Sequence, residues 1–198
     1  MFQSRISLKK SLCVLLFLLL QAGFCTSFAN KNSEDIKQKA YALYATKNFN
    51  EASALLKSLP AQDKNEEVFL ILANIAEENS DYNLAIKNLN KALDKNYSYY
   101  KAYYNLGCVL AKKKSYLLAI DNFELAIKYK KDFASAYYNL ACCQIQLKNY
   151  AAAKKNLIKA IELEPTIKDA YYNLALCYKE LNKPHQAKKL LKTYESLT

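Results

Sequence analysis

Tyrosine and asparagine stand side by side as Tyr104-Asn105, Tyr138-Asn139 and Tyr172-Asn173, each pair 34 residues after the last. An asparagine amide offers a donor and an acceptor together, which is what an extended peptide backbone needs from a partner. Tyrosine adds rigid contact area with a polar tip. The opposing reading is structural: the amide braces the next helix and the ring is half-buried packing.

Cysteine is the second residue type that could carry chemistry. Cys108 and Cys142 lie 34 residues apart, and so do Cys143 and Cys177. Equivalent positions on stacked helices are separated by about 8–10 Å between axes. A disulfide needs Cα atoms within about 7 Å, so direct pairing is strained. The spacing is not that of paired zinc-binding cysteines, and no second ligand type accompanies it. The plain reading is a small apolar packing residue. A redox pair is the alternative, favoured in an oxidising exported location.

Other catalytic chemistry has little to work with. His185 is the only histidine, which leaves no triad and no histidine metal cluster. Beyond residue 29 the one glycine is Gly107, so there is no phosphate-cradling loop. Glu66, Glu67, Glu77 and Glu78 read as a solvated acidic flank, not an acid–base pair. The expectation is a chain that is not an enzyme and has no cofactor and no metal.

The elements that position these residues repeat as well. Ala102-Tyr103-Tyr104-Asn105-Leu106-Gly107 recurs as Ala136–Ala141 and Ala170–Ala175, with Val68–Ala73 a divergent copy. The aromatic residue and the leucine three positions on share one helix face. A second amphipathic stripe follows each copy: Tyr82, Ala85, Leu89 and Ala92, then Tyr116, Ala119, Phe123 and Ala126, then Tyr150, Ala153, Leu157 and Ala160. Short polar stretches separate the two stripes. Pro184 suits a helix start and Pro165 a helix end. Each unit is therefore two antiparallel helices, and because one pair cannot bury both of its apolar faces, the units must stack. The units are 66–99, 100–133, 134–167 and 168–198. Residues 30–65 form a linker and a degenerate first unit, in which Ser33 is the expected helix N-cap.

On these residues the chain resembles the tetratricopeptide repeat family from about residue 33 to its end. The resemblance implies an all-α fold, a right-handed superhelical α-solenoid of stacked antiparallel helix pairs. It also implies that first helices line a concave groove. Carried onto this chain, Tyr104, Asn105, Tyr138, Asn139, Tyr172 and Asn173 are the expected partner-binding residues. The family's carboxylate clamp is disfavoured, because Tyr104 and Cys108 stand where it needs Lys and Asn. The family also tends to close with a solvating helix. Here the second helix of the last unit is the end, which raises self-association through the C-terminal helix beside a locally adapted end.

Residues 1–29 are of another kind. Arg5, Lys9 and Lys10 precede an apolar run from Leu12 to Leu20, then Gln21-Ala22-Gly23, then Ser27-Phe28-Ala29. That order is a signal peptide with cleavage expected after Ala29, and the run is short for a membrane span. The protein is then exported, periplasmic or secreted, with an uncleaved N-terminal membrane anchor as the alternative. Lipid attachment at Cys25 is disfavoured by the bulky Phe24 before it.

The chain carries a formal charge of +11, and removing the three leader cations leaves +8. Unit 66–99 has three Lys against six acids, whereas unit 100–133 has seven Lys against three. Nucleic acid is not the expected partner, because arginine does most base reading and the only arginine is Arg5. The expected role is a scaffold that binds a segment of another protein in its groove. Envelope assembly, secretion, pilus and cell-wall machinery all fit. A structural module held on a membrane surface by its leader or its Lys-rich faces is the alternative.

Overall fold

The structure, a computed structural model, describes residues 32–197, so the leader and its expected cleavage site lie outside the described residues. The described residues contain helices and turns and no strand. The chain divides into two compact units, with the boundary in sequence between Lys64 and Asn65.

In the first unit, α1 covers residues 32–45 and α2 covers Phe49–Ser58, followed by a 3-10 turn at Ala61–Asp63. Ala40, Ala52, Leu56 and Leu59 are its buried apolar residues. Ser33 is not the N-cap that its type suggested. It lies within α1, is buried, and donates its hydroxyl to Asp63 Oδ2 at 2.6 Å. A buried hydroxyl needs a partner, and the carboxylate across the unit supplies one.

The second unit is a stack of four helix pairs. These are α3 (Glu66–Glu78) with α4 (Tyr82–Lys95), and α5 (Tyr100–Lys112) with α6 (Tyr116–Tyr129). Next come α7 (Ala134–Gln146) with α8 (Tyr150–Leu163), and α9 (Lys168–Glu180) with α10 (Pro184–Ser196). Pro184 opens α10, and α8 ends just before Pro165, as their fixed φ and missing N–H require. Each pair packs on the next through α4 with α5, α6 with α7 and α8 with α9. The first helices also touch one another, α3 with α5, α5 with α7 and α7 with α9. They therefore lie on the inner side of the stack. None of the described helices is long and apolar enough to cross a membrane.

The turn inside each pair has one geometry. Lys47, Ser80, Lys114, Lys148 and Asn182 all have positive φ, between 57 and 62°. In the α3–α4 turn, Asp81 N–H donates to the Ala76 carbonyl and Ser80 N–H to the Glu77 carbonyl, both at 2.8 Å. The same two bonds recur at Lys114 and Ser115, at Lys148 and Asn149, and at Asn182 and Lys183. This is a Schellman ending, which satisfies carbonyls that the helix leaves open. Left-handed backbone costs a non-glycine residue about 1–2 kcal/mol, so the capped carbonyls and the packed pair must outweigh it. Asn65, Asp81 and Asn149 cap the following helices by accepting from Val68, Leu84 and Ala152 N–H.

The core is a run of small and large residues in register. Ala73, Ala85, Leu89, Ala102, Leu106 and Val109 join the first two pairs of this unit. Ala141, Ala153, Leu157, Ala170, Leu174 and Cys177 join the last two. Between them Phe123 is fully buried where the flanking pairs have Leu89 and Leu157. The larger ring is accommodated by Gly107, where the later units have Ala141 and Ala175. A Cβ on Gly107 would lie 2.7 Å from the Phe123 ring.

That pairing yields a test. Gly107→Ala should lower stability by about 1–3 kcal/mol through overpacking, despite alanine's better helix propensity. Adding Phe123→Leu restores the Ala141–Leu157 combination and should recover most of the loss. Urea denaturation of the single and double variants measures both; additive losses would show that the ring and the glycine are not coupled.

Candidate interaction face

The inner helices bring the sequence-predicted residues together, and they do so by bonding them to each other. Asn139 Nδ2 donates to Tyr104 OH at 2.9 Å, and Asn173 Nδ2 donates to Tyr138 OH at 3.3 Å. The same amides also point at thiols one unit back, Asn139 at Cys108 Sγ and Asn173 at Cys142 Sγ, each 3.6 Å away. One unit earlier, Asn105 Nδ2 donates to Asn74 Oδ1 at 2.6 Å, where Asn74 occupies the position of those cysteines. A tyrosine hydroxyl of one unit and an asparagine of the next thus form a rung, repeated along the stack.

Each asparagine spends its donor inside the protein. Among the described residues no donor is directed at Oδ1 of Asn105, Asn139 or Asn173. No buried side-chain oxygen or nitrogen lacks a partner, so these acceptors reach solvent. The bracing and binding readings therefore divide one side chain: Nδ2 holds the neighbouring unit, and Oδ1 is left to solvent. Tyr104 and Tyr138 are half-buried members of the rungs, and burial pushes both hydroxyls above the ordinary tyrosine range. Tyr172 differs. It is 53% exposed, and its ring rests against Tyr194 of α10 at 5.6 Å, with Lys168 over that second ring. Leu70 and Ile71, at the same positions in the first pair, are buried and apolar.

The inner face opens into a cavity of about 370 Å³ between the units at 100–133 and 134–167. Cys108, Ala111, Phe123, Cys142 and Cys143 form its walls, with Asn139, Lys112 and Gln146 supplying polar groups. Sequence reasoning did not single out this site. Its signal was the register: Ala111 stands where the neighbouring units have Glu77 and Ile145, and Cys142 where the last unit has Leu176. Two small residues meet at one junction. Glu77 is not part of a solvated flank: it forms an ion pair of 2.7 Å with Lys112 across two units. Glu66 accepts from Asn96 Nδ2 at 3.1 Å.

The four described cysteines are free thiols. Cys143 and Cys177 are buried, and desolvation pushes Cys143 up to about 12 and Cys177 up to about 11. Cys108 is also raised to about 11, mainly by burial, and Cys142 is raised for the same reason. Burial penalises the thiolate, which is the nucleophile, so these thiols suit packing and weak acceptance better than exchange chemistry. His185 is exposed at the start of α10. No cluster of three metal-type side chains occurs among the described residues.

Stacked helix pairs with solvent-reaching acceptors and one exposed ring along their inner helices define a protein-interaction scaffold. Tetratricopeptide repeat models match residues 72–137, 134–167 and 157–189. The chain belongs to the tetratricopeptide repeat family. Among solved structures, a crystal structure of MamA is 25% identical and superposes with a TM-score of 0.74 over 80% of this chain and 93% of that one. A second MamA crystal structure, also 25% identical with a TM-score of 0.74, covers 85% of this chain and 91% of its own. MamA from Desulfovibrio magneticus RS-1 shares the fold at 20% identity, with a TM-score of 0.75 over 83% of this chain and 94% of that one. No curated protein sequence matches the chain. Folds of this class are generally non-catalytic scaffolds.

The thiol environment sets a pH dependence. The native state holds these protons more tightly than the unfolded chain, so the stabilisation is complete below the ordinary thiol value near 9. It is lost as pH rises from there through the folded values of about 11 to 12. Urea midpoints should therefore be level from pH 6 to 8 and fall above about pH 9. Replacing Cys143 and Cys177 with valine, the residue present at Val109, should flatten part of that fall; an unchanged alkaline slope would clear the thiols of any role.

Proposed function

We propose that the chain is an exported adaptor that holds an extended segment of another protein along its inner helices. Its setting would be envelope assembly, secretion, pilus or cell-wall machinery. The observation that carries the reading is the division of labour in the rungs. The asparagine donors are used internally, while three Oδ1 acceptors in successive units remain open to solvent. Backbone N–H groups of an extended segment are the complement of such a row, and the exposed Tyr172 ring extends it. Export rests on the order of charged, apolar and small residues in residues 1–29.

Two measurements test this. A photoactivatable phenylalanine analogue placed at position 172 should crosslink to a discrete partner in cells, whereas the same analogue at exposed Lys155 on the outer helix α8 should not. Identical crosslinks from both positions would reject the inner face as the binding surface. Intact-mass measurement of the protein purified from its own cells should give a chain that begins at Asn30. A chain that retains Arg5 would show instead that the leader is kept as an anchor.

A further inference from the structure

We infer that the cavity between the units at 100–133 and 134–167 is the anchor pocket of the inner face. It would take one bulky apolar side chain of the bound segment, with an acidic residue beside it. This inference rests on the groove-binding reading above and names the chemistry of its ligand.

The argument begins with the register. Position 111 is alanine, while the units on either side place Glu77 and Ile145 there. Position 142 is cysteine, while the next unit places Leu176 there. At the following junction both positions carry larger side chains, Ile145 and Leu176; at the preceding one Cys108 is accompanied by Glu77, which closes onto Lys112. At this junction both side chains are short, and a cavity of about 370 Å³ lies beside them. A void of that size is large enough for an aromatic or long aliphatic side chain. Its walls favour such an occupant: the Phe123 ring, the Ala111 methyl and the protonated thiols of Cys108, Cys142 and Cys143.

Polar groups then fix the orientation. Asn139 is part of the lining, and its donor is committed to Tyr104 OH and Cys108 Sγ. Its Oδ1 is left to accept the backbone N–H of the residue that fills the cavity. Lys112 is the cation of the lining, which includes no carboxylate. Its side chain stays 55% exposed while paired with Glu77, so an acid in the segment would complement it.

The repeat supplies the variants. Ala111→Ile copies Ile145, and Cys142→Leu copies Leu176, so both place a side chain that this fold already carries at that position. The protein purified from its own cells is used to select from a random heptapeptide phage library, and the chosen peptides are titrated by fluorescence polarisation. Enrichment of a bulky apolar residue next to an acid, with affinity falling about tenfold or more in both variants, is the expected result. The bound peptide should also shield Cys108 and Cys142 from alkylation. Peptides that bind both variants normally but weaken with Tyr172→Ala would overturn the pocket and leave the groove reading standing. Failure to select any peptide would remove both. Urea denaturation of the two variants, expected to match or exceed the parent, confirms that lost affinity is not lost folding.

Discussion

A helix pair of this chain is complete only when the next pair is in place. Its inner and outer helices each have two apolar edges, and one partner covers one edge. The remaining edge must find a neighbour 34 residues away, and every other feature of the second unit follows from that condition. Ala102 and Leu106 of one pair are buried in the same cluster as Ala85 and Leu89 of the pair before. The Schellman turns have the same φ in each unit because the angle between the helices of a pair must repeat if the pairs are to stack.

The same condition explains the rungs. A tyrosine at position 104 or 138 has its ring half buried between pairs, and burying its hydroxyl without a partner would cost about 1–3 kcal/mol. The asparagine of the next unit supplies that partner. Binding surface and structural brace are therefore not competing roles for these residues. The brace fixes the rotamer of each amide, and a fixed amide presents its acceptor at a fixed place. Preorganisation of this kind reduces the ordering cost of holding a flexible segment.

Much of this could be read from residue identity alone, because periodicity makes a fold redundant. Three copies of Tyr-Tyr-Asn-Leu locate the inner helices, and Pro165 and Pro184 mark helix boundaries. Ser33 shows where local sequence stops being informative. A serine before an amphipathic run resembles a cap, but its actual partner, Asp63, is distant in sequence and nothing local announces it. The Glu77–Lys112 ion pair escaped for the same reason, since each residue alone looks like an exposed helix charge. The rungs were half visible. Asparagine was expected either to bind or to brace, and only the geometry shows one atom doing each.

The cavity marks where redundancy ends. A perfectly periodic chain would have equivalent junctions, and a partner sliding by one unit would meet the same contacts. Departures from the repeat are what can set a register. Gly107 with Phe123 lies inside the pair at 100–133, and Ala111 with Cys142 spans the junction of that pair with the next. The first departure is compensated, since the missing methyl makes room for the larger ring. The second is not: Ala111 is smaller than Glu77 and Ile145, Cys142 is smaller than Leu176, and the cavity remains beside them. An uncompensated loss of packing costs stability at about 24 cal/mol per Å³ where a void is fully enclosed, and less where it opens to water, as this one does. The side chains missing from this junction are the apolar bulk that a bound segment would bring, so the vacancy gives an otherwise repetitive groove a single preferred alignment.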